Sequence, residues 1–112
     1  MSISTHVLDA VTGRPAAGLG VVLSRRAGGG WRELERAVTD GDGRIAAFGP
    51  RRPGGAGHPS GTYRLTFDTD AYLNGSTFYP EVVIVFRVSE PSAHHHVPLL
   101  LSPFAYSTYR GS

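Results

Sequence analysis

Polar and apolar side chains alternate with a period of two along most of this chain, in short runs separated by breaks rich in Gly, Pro, Asp and Ser. Side chains on an extended strand point to opposite faces in turn, so this alternation predicts half-buried β-strands. In residues 3–8, Ile3, Thr5 and Val7 take one face and Ser4, His6 and Leu8 the other. Residues 9–15 then read as a loop, with Gly13 and Pro15 as breakers. Residues 18–26 and 31–39 alternate on either side of Gly28-Gly29-Gly30, which predicts a hairpin. A helix competes for residues 32–36, because Glu and Arg are good helix formers. The flanking glycines leave space for only about two turns, too short to be stable alone, and a strand is the better reading.

Residues 40–43, Asp-Gly-Asp-Gly, form a tight turn by residue type. A short strand at 44–48 therefore opens with Arg44. Residues 49–61 contain three prolines and five glycines and read as a surface loop. Residues 62–68 alternate again through Tyr63, Leu65 and Phe67. Asp68 as N-cap and Gly75 as stop frame one or two helical turns over 68–74. Residues 81–88 are the most apolar strand, and strands at 94–101 and 104–111 meet at Ser102-Pro103. About eight short strands, regular turns and one short helix predict an all-β fold, an antiparallel β-sandwich. Residues 1–112 contain no domain boundary or internal repeat, so a single domain is expected.

Composition narrows the chemistry more than the fold. At 40% hydrophobic residues the chain is too apolar for disorder. No apolar run approaches the roughly 20 residues of a membrane span, so no membrane partner is expected. The first residues lack the regions of a signal peptide, and Arg110-Gly111-Ser112 differs from the Ser-Lys-Leu peroxisomal address; the expected compartment is the cytoplasm. Absence of cysteine removes disulfides, thiolate nucleophiles and zinc–sulfur sites. All 11 cationic residues are arginine, so lysine Schiff-base chemistry is excluded and an essential cation must be Arg or protonated His. With a net charge of +2, the basic pairs Arg25-Arg26 and Arg51-Arg52 read as solvated, loop-like surface without interleaved aromatics, and no nucleic-acid partner is expected.

Alternation also sorts the candidate chemistry. His94, His96, Pro98 and Leu100 share one face of their strand, while His95, Val97, Leu99 and Leu101 take the core face. The last run divides into Phe104, Tyr106, Thr108 and Arg110 against Ala105, Ser107, Tyr109 and Gly111. His6 reads either as a hydrogen-bonded structural histidine or as a functional one. Arg44 reads either as a surface arginine or as a positioned cation. His94 and His96 could form a metal handle, but spacing fixes no third ligand, so the zinc signal is weak. Neutral imidazole can deprotonate water near pH 7, and guanidinium presents fixed donors to oxygen. His and Arg together suit hydrolysis through an oxyanion. A Gly-x-Ser-x-Gly elbow is missing.

Several stretches then match one family as a set: Ser4-Thr5-His6-Val7-Leu8-Asp9, Gly13-Arg14-Pro15-Ala16, Asp42-Gly43-Arg44, His96-Val97-Pro98-Leu99-Leu100-Leu101-Ser102-Pro103 and Tyr106-Ser107-Thr108-Tyr109-Arg110-Gly111-Ser112. Over essentially its whole length the chain resembles the 5-hydroxyisourate hydrolases, the transthyretin-related proteins of purine degradation. The terminal Tyr-Arg-Gly-Ser is the most specific part of the likeness. Transthyretin itself shares the fold but lacks that tetrapeptide, the histidine matching His6 and the arginine matching Arg44.

The resemblance implies a transthyretin-like sandwich assembled as a homotetramer, with active sites in a channel between facing inner sheets. It implies hydrolysis of the N1–C6 amide bond of 5-hydroxyisourate to 2-oxo-4-hydroxy-4-carboxy-5-ureidoimidazoline, without metal or organic cofactor. It assigns catalysis to His6, Arg44 and His96, and the pocket-shaping, substrate-binding role to Tyr109, Arg110, Gly111 and Ser112. His94 is expected nearer the channel rim. His95 falls where an aromatic is common and receives no role. The competing readings are a transthyretin-like small-ligand carrier without turnover and a plain structural sandwich.

Overall fold

The computed structural model describes residues 2–48 and 58–112. Among them the alternating runs form β1 (Ile3–Asp9), β2 (Arg14–Pro15), β3 (Gly20–Ala27), β4 (Gly30–Val38), β5 (Arg44–Phe48), β6 (Gly61–Phe67), β7 (Val82–Val88), β8 (His95–Leu101) and β9 (Tyr106–Thr108). A short helix, α1 (Thr69–Tyr72), lies between β6 and β7. One sheet has the order β2-β1-β8-β9, with β5 also paired to β1; the other has the order β4-β3-β6-β7. Their inner faces bury one apolar cluster, with Ile3, Val7, Leu99 and Leu101 from the first sheet and Val21, Leu23, Tyr63, Leu65, Phe67 and Val82 from the second. Most of these side chains are fully inaccessible, and each such Leu or Val contributes on the order of 1.5–3 kcal/mol by leaving water.

The two-sheet sandwich expected from the alternation is present, and four details differ. First, β1 and β8 pair in parallel, with Ser4 opposite His96 and His6 opposite Pro98, whereas the other ladders are antiparallel. A parallel pair needs a long crossover, here nearly the whole chain, and no local turn signal announces it. Second, the expected loop at 9–15 contributes the two-residue strand β2, which pairs with Leu8 and Asp9. Third, the last strand is shorter than 104–111. Ser102 donates from both its backbone N–H and its hydroxyl to the Ala105 carbonyl, which turns the chain, and beyond β9 a single bridge joins Gly111 to His96. Fourth, Arg25 and Arg26 lie in β3, not in a loop, and aromatics do interleave. Pairing places Arg26 opposite Trp31, whose ring is approached by the Arg26 and Arg64 guanidinium carbons at 4.9 and 4.5 Å from its centroid.

The competing helix at 32–36 is absent, and β4 pairs along β3 through a turn with positive φ at Gly28 and Gly29. Twist-compatible two-residue hairpins need that backbone conformation. The expected helix at 68–74 is realised as one turn, capped where the Asp68 carboxylate accepts from the Ala71 N–H. Of the Gly/Pro-rich segment, residues 49–57, including Arg51 and Arg52, lie outside the described part. His58, expected on a surface loop, is buried: its Nε2 lies 2.8 Å from the Phe48 carbonyl and its ring meets Tyr63 edge-on. Among the described residues no helix is long and apolar enough to cross a membrane.

The turn before β5 controls where Arg44 begins. Asp40 Oδ1 accepts from the Asp42 and Arg44 N–H groups at 2.9 and 3.0 Å, and the Gly43 N–H donates to the Asp40 carbonyl. These two N–H bonds to the carboxylate, Arg44's first, hold the Asp40 carboxyl below its ordinary range; the Arg44 and His6 charges add to the effect. Gly43 has φ +72°, and a Cβ there would stand 2.5 Å from the Val7 carbonyl oxygen. That oxygen is held in the sheet by the Ala16 N–H, so it cannot retreat cheaply. Gly43→Ala is expected to lower stability by about 1–3 kcal/mol. An unchanged denaturant midpoint would contradict this account of the turn.

Candidate functional site

The outward face of the five-stranded sheet collects the polar residues that alternation had set apart from the core. His6 projects from the middle of β1, and the β1–β5 register places Arg44 directly opposite it. Directly opposed residues of antiparallel strands have Cβ atoms about 5 Å apart. Across the parallel ladder His6 faces Pro98, and His96 lies two positions earlier, opposite Ser4. Three strands far apart in sequence thus bring His6, Arg44 and His96 together.

His96 is the most constrained of the three. Its Nδ1 lies 2.7 Å from Ser4 Oγ, and its ring is half-buried. Burial, first, and then the positive charges of His94, Arg44 and His6 lower its pKa below the ordinary imidazole value. The neutral ring is therefore favoured near pH 7, the form that can accept a proton. If His96 must be neutral to act, the acid limb of a kcat/KM profile falls below the ordinary value of about 6.5. A limb at or above that value would contradict a working His96 in this environment.

The same face carries a hydrogen-bonded series that the spacing did not disclose. Ser4 Oγ also lies 2.9 Å from His94 Nε2, and His94 Nδ1 lies 2.7 Å from Ser2 Oγ. The His94 and His96 rings are nearly parallel, 6.3 Å apart at 15°. Strict alternation does put Ser4 with His6 and His94 with His96, but only the parallel register brings serine to histidine. Ser4, Thr5, Arg44, Ile45, Ala46, His94, His96 and Ser112 line an open depression of about 250 Å³. His6 flanks this depression through its pairing with Arg44.

The final tetrapeptide is divided between two places. The Gly111 N–H donates to the His96 carbonyl at 2.9 Å, which lays the chain end along β8 and brings Ser112 into the depression. Tyr109 and Arg110 instead line a second cavity of about 340 Å³, which His96 also borders, with Ile84, Phe86, Arg87, His95, Val97 and Thr108. His95 is buried there, and burial followed by the Arg110 charge lowers its pKa. Gly111 has a steric role: a Cβ on it would stand 2.4 Å from Cδ2 of His96 and 3.2 Å from Pro98 Cγ. Gly111→Ala must displace the His96 ring. It is expected to cut turnover at least about tenfold while the melting temperature changes little, since misplacement by about 1 Å can cost a hundredfold. Wild-type turnover would show that Gly111 does not set the ring's position.

Among the described residues no three His, Cys, Asp or Glu side chains cluster as a metal site. Two imidazoles and a guanidinium around an open depression can accept a proton from water and stabilise negative charge on a carbonyl oxygen.

Comparison with known proteins adds identity to this geometry. The family model described as "HIUase/Transthyretin family" matches residues 3–111. A 5-hydroxyisourate hydrolase of Salmonella dublin is 46% identical over 113 residues, spanning 98% of this chain and 80% of that protein. The structure of Klebsiella pneumoniae 5-hydroxyisourate hydrolase superposes with a TM-score of 0.83 at 37% identity, covering all of both chains. Sea bream transthyretin in complex with thyroxine superposes with a TM-score of 0.85 at 32% identity, over 99% of this chain and 95% of that one.

Proposed function

The chain belongs to the HIUase/Transthyretin family, and from that premise we propose that it is the hydrolase of 5-hydroxyisourate, opening the N1–C6 amide to 2-oxo-4-hydroxy-4-carboxy-5-ureidoimidazoline. The observation that carries this reading is the convergence of His6, Arg44 and His96 on one open face. Fold similarity alone does not choose between hydrolase and carrier, since a hydrolase and a thyroxine-bound transthyretin superpose almost equally well. A face built from two imidazoles and a guanidinium suits bond cleavage better than retention of an apolar ligand.

In the proposed mechanism the substrate lies over the depression with its C6 carbonyl toward Arg44. His96 and His6 hold a water molecule, and His96, neutral and partly desolvated, takes its proton as the oxygen attacks C6. The guanidinium of Arg44 stabilises the tetrahedral oxyanion with donors fixed in one plane. Collapse breaks the N1–C6 bond, N1 takes a proton as the leaving group, and C6 becomes the carboxylate of the ring-opened product. Ser112 and Gly111 shape the floor beside His96, and Tyr109 and Arg110 border the neighbouring cavity. Hydrolysis in 18O-labelled water tests the bond assignment. One labelled oxygen is expected in the carboxylate derived from C6; label at another carbon would overturn it.

The same reading takes the working unit to be a homotetramer. The depression is open on one side, and β7 ends its sheet with Val83 and Val85 exposed. An unpaired apolar edge strand favours pairing with another copy. Sedimentation equilibrium is expected to give four times the 11.9 kDa chain mass. A fully active monomer would contradict the tetramer.

A further inference from the structure

The overall reaction proposed above turns a neutral amide and water into a carboxylate, so one proton must leave the site in each turnover. One proton of the attacking water ends on N1, and the other must reach solvent. His96 is half-buried, and its Nδ1 points not to solvent but to Ser4 Oγ. Behind Ser4 stands His94 Nε2, and behind His94 stands Ser2 Oγ at the exposed end of the series.

Counting hydrogens fixes how this series can be populated. The Ser4 hydroxyl has one proton and two imidazole nitrogens within 2.9 Å, so the two nitrogens cannot both accept from it and at least one ring donates to Ser4 Oγ. The arrangement that joins the whole series has His96 protonated on Nδ1, the Ser4 hydroxyl donating to His94 Nε2, and His94 protonated on Nδ1, toward Ser2. In that state His96 Nε2 is a bare acceptor. The tautomers of the two histidines are thereby coupled, since their facing nitrogens cannot both be bare, although His94 itself is exposed.

We propose that Ser4 and His94 form a proton relay behind His96, anchored by Ser2, which favours the basic tautomer of His96 and takes up the positive charge while the water is deprotonated. This rests on His96 being the base. When His96 Nε2 takes the water proton, its Nδ1 proton passes to Ser4 Oγ as the Ser4 hydroxyl proton passes to His94 Nε2. His96 is again neutral, and His94 is the imidazolium. When His96 Nε2 then gives its proton to N1, the shifted protons return through Ser4, His96 regains its Nδ1 proton, and the new C6 carboxylic acid loses the remaining water proton to solvent. No oxidant or further reactant is needed. The charges facing this series, Arg44 and His6 beside His96, disfavour holding the proton on the inner ring and drive it outward. Ser4 and His94 are positioning residues here: they act through His96.

Two measurements on the purified protein test this. In resting wild-type enzyme, 15N NMR of the histidine side chains is expected to give His96 protonated on Nδ1 and bare on Nε2; the opposite tautomer overturns the relay without recourse to a variant. Ser4→Ala and His94→Phe are expected to lower kcat by about ten- to a hundredfold, the loss of one hydrogen bond to a ring that becomes charged, with KM changed less than about twofold. Proton inventories in H2O/D2O mixtures should change from curved to linear in both, and Ser4→Thr should restore most of kcat. Unchanged kcat in both variants, with His96→Ala inactive, overturns the relay and leaves the base in place. Raised KM at unchanged kcat makes Ser4 and His94 substrate contacts and also overturns it. An active His96→Ala would instead remove the base reading on which the relay rests.

Discussion

His96→Ala is expected to lower kcat/KM for 5-hydroxyisourate by about a hundred- to ten-thousandfold, the usual contribution of a positioned general base. The expected loss is in kcat, because the imidazole acts on the water in the transition state and does little to hold the ground-state substrate. The half-buried ring is hydrogen-bonded to Ser4 on one side and closely approached by the Gly111 backbone on the other, so its position is well defined. His6→Ala should fall in the same direction. The double variant should lose less than the product of the two single losses, since both residues act on one water. Equal wild-type rates for both single variants would remove the histidines from the mechanism.

The second large effect is expected at Arg44. Removing a donor aimed at a developing oxyanion costs on the order of a hundred- to a thousandfold in kcat, and Arg44→Ala should fall in that range. Arg44→Lys separates geometry from charge. Lysine keeps the positive charge but offers a point donor in place of a planar fork, so activity should recover only in small part. The β5 backbone should be unaffected, because its entry turn rests on Asp40 and Gly43 and not on the Arg44 side chain. Full activity in Arg44→Lys would reduce the role of Arg44 to general electrostatics.

Much of the fold was legible because the chain alternates so regularly. The runs around Ile3, Leu23, Leu65 and Val82 each became a strand with one alternate set of side chains in the core. Pairing partners were not legible. Alternation assigns a residue to a face but not to a neighbour, and the parallel ladder that places Ser4 against His96 joins residues ninety-two apart in sequence. The site residues could be listed from their types and from the family likeness, yet their convergence depends on that ladder and on the His6–Arg44 register. Nothing in the spacing joins Ser4 to His94, which reads there only as half of a weak metal handle or as a rim residue. Gly111 could be placed by the terminal motif, but the close approach of its backbone to the His96 ring is a tertiary contact that no pattern encodes. His58 was hidden in a segment whose glycines and prolines suggest surface, although its ring packs against Tyr63 in the core.

The most direct test generates 5-hydroxyisourate in situ with urate oxidase and follows the decay of its transient ultraviolet absorbance with and without the purified protein. The account predicts that wild-type protein accelerates this decay in proportion to its concentration, and that His96→Ala leaves it near the spontaneous rate. Decay unaffected by folded wild-type protein, or accelerated equally by His96→Ala, would contradict the central claim.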